Sequence, residues 1–265
     1  MVERVQWEEL PAVLREAVEA CTGPVITSES VTSGFNCSLA LVVHTHKAGS
    51  LFLKGVRLSD DVGMAGLRCE EQIGGVVGGI SPTIRYRFER AGWRCLAFGY
   101  VDGRHADYGP GTGDLGTIAL TVGRMHQLPV PAVPLVQLSE RFAGCLRPGE
   151  ADALKGSHLL HTDMNPHNVL IGAADGRAYV VDWAMPAIGP AWVDAAYLAT
   201  WLMSYGHTPE DAHTWLSGQP SWRQADRGAV EAFVAVTCRD FSESVGEENA
   251  ATSNARFRHL LDFMC

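Results

Sequence analysis

The sequence predicts an α+β fold in two lobes, and three observations carry that prediction. Short β-type runs crowd the first hundred or so residues, with one helical stretch among them. Helical spacing dominates beyond position 115. A Gly-rich stretch from Asp102-Gly103-Arg104 to Gly113 separates the two parts. Segregated strands and helices, as opposed to alternating ones, define this class. A chain of 265 residues suits one large domain or two lobes at roughly 100–200 residues per domain.

Leu10, Val13, Leu14, Ala17 and Val18 recur at helical spacing behind Pro11, which predicts an amphipathic helix ending before Gly23-Pro24. The period then changes. Runs at 25–28, 38–45 and 51–56 read as strands, separated by Thr32-Ser33-Gly34 and by Lys47-Ala48-Gly49-Ser50, both turn-like. A helix is expected over 61–73, then strands over 83–89 and 93–101 hinged at Ala91-Gly92. The boundary between lobes is drawn there, giving 1–101 and 102–265. In the second part Leu115, Ile118, Ala119, Val122 and Met125 mark a helix. Helices are expected near 138–145 and 149–160, and again over 191–204, 209–217, 223–241 and 248–263. Two apolar runs, 168–171 and 178–181, form a hairpin joined through Gly172 to Gly176. Two lobes make a cleft, and small ligands bind at such junctions.

Apolar residues make up 46% and charged residues 19%, a globular balance that excludes disorder as the default state. The formal net charge of −9 argues against a nucleic-acid binder, which would show a basic face. No apolar run approaches the ~20 residues of a membrane span. The N-terminus lacks an apolar signal core. The 7 cysteines are odd in number and form no Cys-x-x-Cys pair, so reduced thiols in a cytoplasmic protein are expected. Nothing in the sequence bears on its oligomeric state.

The densest chemistry lies in His161-Thr162-Asp163-Met164-Asn165-Pro166-His167-Asn168-Val169-Leu170, a polar loop that opens onto a strand. Asp182-Trp183 follows the apolar run Tyr179-Val180-Val181. The hairpin lets Asp163, Asn168 and Asp182 converge at one end. A carboxylate and an amide carbonyl are hard oxygen ligands suited to Mg²⁺ shared with phosphate oxygens. A carboxylate kept off the metal can orient a hydroxyl and take its proton.

H-x-D-x-x-x-x-N, followed by a strand that ends in Asp, resembles the aminoglycoside phosphotransferase family, relatives of the protein kinases. The resemblance extends over nearly the whole chain. It implies a protein-kinase-like fold: an N-terminal nucleotide-binding lobe with an antiparallel sheet, and a mainly helical lobe for catalysis and substrate. It also implies roles. Asp163 would be the catalytic group, and Asn168 and Asp182 would hold Mg²⁺. Lys54, in the third strand, would touch the α- and β-phosphates of ATP, with GTP as the other nucleotide. A helical glutamate would hold that lysine. Glu70 is chosen over Glu71, because the family often reads Arg-x-Glu here; neighbours face about 100° apart on a helix, so one of them pairs. Ser33 and Gly34 would cover the phosphates. Gly99, Tyr100 and Val101 would form the hinge that binds adenine. The family usually has Gly where Thr162 stands, often His at Asn165, and Gly or a small residue at His167. Asp194 resembles a position that braces the catalytic loop, and His161 is expected to support that loop.

The implied activity is phosphoryl transfer to a hydroxyl of a small molecule, an aminoglycoside or another hydroxylated antibiotic. A metabolite kinase for a sugar or an amino alcohol is the alternative, and a non-catalytic nucleotide-binding module is a third. Retention of Lys54, a helical Glu, Asp163, Asn168 and Asp182 favours an enzyme. A zinc hydrolase built on His158, His161, Asp163, His167 and Asp182 would leave Asn168 without a role, and no H-E-x-x-H is present.

Overall fold

A computed structural model describes residues 4–31 and 37–264. Its elements, in chain order, are α1 (Ala12–Thr22), β1 (Val25–Ser30), β2 (Leu39–Thr45), β3 (Gly49–Arg57), α2 (Asp61–Val77), β4 (Ile84–Arg90), β5 (Trp93–Gly99) and β6 (Gly103–His105). They continue with α3 (Asp114–Met125), α4 (Leu138–Arg141), α5 (Glu150–Ala153), β7 (His158–Leu160), β8 (Val169–Gly172), β9 (Ala178–Val180), β10 (Ala187–Gly189), α6 (Val193–Ser204), α7 (Pro209–Ser217), α8 (Arg227–Val245) and α9 (Glu247–His259). The chain divides into two compact units. The first holds residues 1–104 with 172–175 and 179–184; the second holds 105–171, 176–178 and 185–265.

The first unit is built on one antiparallel sheet, in the order β1-β2-β3-β5-β4. Successive side chains of a strand point to opposite faces. Leu39, Leu41 and Val43 of β2 and Leu51 and Leu53 of β3 therefore share one face. They bury against Trp7, Leu10, Leu14 and Val18 at the N-terminal helix. Ala40, between them on β2, and Val56, of the opposite parity on β3, face the other way and pack with Met64, Leu67 and Leu96. Lys54 has the parity of Val56, so it points toward α2. Asp60 caps α2 by accepting from the Gly63 N–H at 2.9 Å. A Cβ on Gly66 would come within 3.1 Å of the Ala184 side chain, so that glycine lets α2 approach the segment after β9.

In the second unit the buried aromatics Trp192, Trp222, Phe233 and Phe257 meet edge-to-face with Tyr197, at centroid separations of 5.2–6.0 Å for Trp192–Phe233, Trp192–Trp222, Tyr197–Phe233 and Phe233–Phe257. These rings form the helical core. A two-stranded ladder pairs β7 with β10 antiparallel: Leu160 opposes Ala187, and His158 opposes Gly189.

Several local expectations need correction. The helix expected over 149–160 stops at Ala153, and His158–Leu160 is a strand. Just beyond the stop, the Gly156 backbone lies against Gly189 and Pro190 so closely that an added Cβ would sit 2.0 Å from the Gly189 carbonyl carbon. The helix expected over 138–145 ends at Arg141, and the stretch expected as a plain linker contains β6.

Candidate active site

In the first unit, alternation along β3 and the helical period of α2 bring Lys54 and Glu70 together. Both are buried, and Lys54 Nζ donates to Glu70 Oε1. The same ammonium donates to Asp182 Oδ1 at 2.6 Å. Burial works against the charge on Lys54, but the facing carboxylates of Glu70 and Asp182 outweigh it and hold the lysine well above its ordinary range. Burial in turn pushes Glu70 upward, against the pull of the Lys54 charge. Glu71 faces elsewhere: it accepts from Arg87 Nε at 2.8 Å and also from Arg94.

Asp182 follows β9 with a positive φ of 63°. Such a backbone is uncommon for a residue other than glycine and is held by its surroundings. The Val180 N–H donates to the Ile80 carbonyl at 2.8 Å, which ties the end of β9 to the turn beyond α2. At the end of β5, the Gly99 N–H donates to the Thr83 carbonyl at 2.9 Å and the Tyr100 N–H to the Ser50 carbonyl at 3.4 Å. Val101 follows them, partly buried. Ser33 and Gly34 lie outside the described residues.

In the second unit, the loop after β7 carries Asp163. Its Oδ1 accepts from Asn165 Nδ2 at 2.8 Å, and its Oδ2 accepts from Asn168 Nδ2 at 3.0 Å. Asn168 Nδ2 also donates to the Asp163 carbonyl at 3.0 Å. With its NH₂ turned to Asp163, the Asn168 amide presents its carbonyl oxygen away from that carboxylate. Asn165 Oδ1 accepts from the His167 N–H at 2.9 Å and starts the short 3₁₀ turn Pro166–Asn168. His167 is exposed and meets the His105 ring edge-on at 5.3 Å.

Asp194, fully buried at the start of α6, binds this loop from below. Its Oδ2 accepts from the His161 N–H at 2.9 Å and its Oδ1 from the Thr162 N–H at 2.7 Å. Burial raises the Asp194 pKa, and the backbone donors and nearby cations oppose that rise. His161 is buried, and its Nδ1 accepts from the Asp163 N–H at 3.3 Å. Both residues thus hold backbone. Arg141 escaped the sequence reading altogether: its guanidinium donates to Thr162 Oγ1 at 2.6 Å. No local pattern marks an arginine at the end of a one-turn helix, so only the folded chain identifies it.

Among the described residues no group of three or more His, Cys, Asp and Glu side chains is placed to hold a metal ion. No helix among them is long and apolar enough to cross a membrane.

Residues 150–233 match the sequence model of the phosphotransferase enzyme family APH. No curated protein matches the sequence. Among solved structures, the choline kinase LicA from Streptococcus pneumoniae is similar over 95% of this chain and 98% of its own, at 12% identity and a TM-score of 0.59. The macrolide 2'-phosphotransferase MphH from Brachybacterium faecium is similar over 97% of this chain and 100% of its own, at 17% identity and a TM-score of 0.55. APH(2")-IIia, solved with GDP and kanamycin, is similar over 94% and 96%, at 16% identity and a TM-score of 0.60. The fold is the protein-kinase-like one of these phosphotransferases. Family match and fold together indicate a phosphotransferase that acts on hydroxyl groups.

Proposed function

We propose that the chain transfers the γ-phosphoryl group of ATP, or of GTP, to a hydroxyl of an aminoglycoside or another hydroxylated antibiotic. The reading rests most on Lys54, a buried ammonium fixed between Glu70 and Asp182. A lysine held charged at a set place on a strand is what polyphosphate recognition requires. The APH(2")-IIia structure, solved with GDP and kanamycin, supports the nucleotide and the antibiotic class.

In this reading Lys54 binds the α- and β-phosphates and Glu70 holds its ammonium in place. Asp163 orients the acceptor hydroxyl and takes its proton. Asn165 and Asn168 keep both oxygens of that carboxylate in a fixed direction. A loose transition state asks little of the base and much of positioning. Asn168 and Asp182 supply a carbonyl and a carboxylate oxygen, a donor set that fits Mg²⁺. When bound, that ion would neutralise charge on the phosphates. Backbone groups of Gly99, Tyr100 and Val101 are assigned to the hinge that binds adenine, although the Gly99 and Tyr100 N–H groups themselves donate within the protein. Ser33 and Gly34 are assigned to the phosphate-covering turn. The residues divide as 1–101 for nucleotide and 102–265 for catalysis and acceptor. We place the protein in the cytoplasm, where ATP is supplied.

The likeness to a choline kinase favours a second reading, an amino alcohol or sugar as acceptor. One experiment separates the two. Release of the nucleoside diphosphate, ADP from ATP or GDP from GTP, is measured with Mg²⁺ against a panel of aminoglycosides, macrolides, amino alcohols and sugars. Turnover with an antibiotic supports the first reading. Turnover confined to an amino alcohol or a sugar replaces it with the second. Nucleotide binding without turnover on any acceptor leaves a binding module.

A further inference from the structure

The register of the β7–β10 ladder has a local effect at its open end. Leu160, the last residue of β7, opposes Ala187, the first of β10. The chain leaving β7 at His161-Thr162 therefore runs beside the chain entering β10 at Met185-Pro186. The segment ahead of α4 lies along the other side of β10, with the Ile188 N–H donating to the Val136 carbonyl at 2.9 Å. That places Arg141, the last residue of α4, at the same end.

The Arg141 guanidinium, the Thr162 hydroxyl and two backbone carbonyls meet there. Arg141 Nη1 donates to Thr162 Oγ1 at 2.6 Å. Arg141 Nη2 donates to the Pro186 carbonyl at 2.8 Å and to that of Met185. The Thr162 hydroxyl donates onward to the Met185 carbonyl at 2.9 Å. Thr162 has a φ of +67°, a genuine outlier for a β-branched side chain. Glycine would adopt this backbone without strain. What threonine adds is the hydroxyl, which accepts from one partner and donates to another. A strained residue persists only where its surroundings over-determine it. Here the surroundings are the Arg141 fork, the Met185 carbonyl and Asp194, whose Oδ1 accepts from the Thr162 N–H at 2.7 Å.

We propose that Arg141 and Thr162 are positioning residues for phosphoryl transfer: they clamp the Asp163 loop to the Met185–Pro186 segment. Asp163 is the next residue after Thr162, so the plane of the 162–163 peptide sets where its carboxylate points. The inference rests on the phosphotransferase reading. It adds two residues, neither of which touches the reacting groups.

The test uses the full chain with Thr162→Ser, Thr162→Gly, Thr162→Val, Arg141→Lys and Arg141→Met. ADP release and hydrogen exchange at amides 161–165 are measured together. Small misplacements of a catalytic group cost up to ~100-fold, so kcat should fall roughly 10- to 100-fold in Thr162→Gly, Thr162→Val and Arg141→Met. KM for ATP should stay within about twofold, because phosphate binding is assigned to other residues. Thr162→Ser keeps the hydroxyl and should restore kcat and exchange toward wild type. Thr162→Gly relieves the backbone and should not lower Tm, which separates positioning from stability. Unchanged kcat and unchanged exchange in Thr162→Gly and Arg141→Met would overturn the clamp. So would equal losses of kcat and Tm in every variant, Thr162→Ser included. If the wild-type protein releases no ADP with any acceptor or with water, the phosphotransferase reading fails by itself. The exchange measurement then still decides whether the two side chains restrain the loop.

Discussion

Lys54 Nζ lies 2.6 Å from Asp182 Oδ1, although 128 positions separate the two residues in the chain. The contact links the middle of β3 to the segment that follows β9, and Glu70 completes it from α2. One ammonium thus serves two carboxylates, and the consequences of removing it differ from those of removing either acid.

Lys54→Met should leave Glu70 buried without its counter-charge. Breaking a buried pair by removing one partner costs about 3–5 kcal/mol, so the urea midpoint should fall clearly. Adding Glu70→Gln should recover part of that loss, because the pair is coupled. Neither variant should show the rise in Tm expected of the wild type with ATP and Mg²⁺ by mass action. A wild-type ATP response in Lys54→Met would remove this lysine from the nucleotide site.

Asp163→Asn keeps the shape and much of the hydrogen bonding of the side chain while removing its charge and basicity. Phosphoryl transfer should drop on the order of 10²-fold or more, with nucleotide binding close to wild type. Turnover is measured on the identified acceptor and binding by calorimetry. Turnover that stays at the wild-type rate would take the base away from Asp163.

Asp182→Ala should abolish activity, and Asn168→Ala should leave a remnant that excess Mg²⁺ partly restores, since a carboxylate carries charge and an amide does not. If the two share one ion, their losses in free energy should not add. A double variant whose loss equals the sum of the single losses would show that they act on different groups.

Glu71 provides a pH signature away from these residues. Burial alone would raise its pKa, but the hydrogen bonds and charges of Arg94 and Arg87 outweigh it and hold Glu71 below the ordinary glutamate value of 4.5. The folded chain therefore holds this proton less tightly than the unfolded one. That contributes stability above pH 4.5, lost as pH falls through the lower folded value. Glu71→Gln should cost on the order of 1 kcal/mol near neutrality. The gap to wild type should narrow as the pH falls below 4.5 and through the lower folded value in urea titrations. A gap that does not change with pH would mean that packing, not charge, is what the substitution disturbs.

The elements whose period repeats several times could be read directly. The five strands of the first sheet and α1, α2 and α6 to α9 all fall where apolar spacing puts them, within a few residues at their ends. Of the three-residue strands, β9 falls within the apolar run expected over 178–181, but β6, β7 and β10 could not be read. His158-Leu159-Leu160 reads as the tail of a helix, because three residues carry no period and the partner strand starts 27 positions after Leu160, at Ala187. The polar loop around Asp163 was legible for a different reason: its chemistry is concentrated in one short stretch.

By itself, then, the sequence determined which chemical groups the chain owns and which face of a strand or helix each one takes. Lys54 shares the parity of Val56, and Glu70 stands three residues after Leu67, so both point into the space between β3 and α2. These are consequences of periods of 2 and 3.6 residues, which act over a few neighbours. Tertiary structure alone decided the pairings that chain distance hides. It gave Glu71 to Arg87 and Arg94, set Asp194 under His161 and Thr162, and brought Arg141 to a threonine hydroxyl in a left-handed turn. Each depends on strand register and helix approach. Those are set by burial summed over a whole core, where no single residue carries the signal.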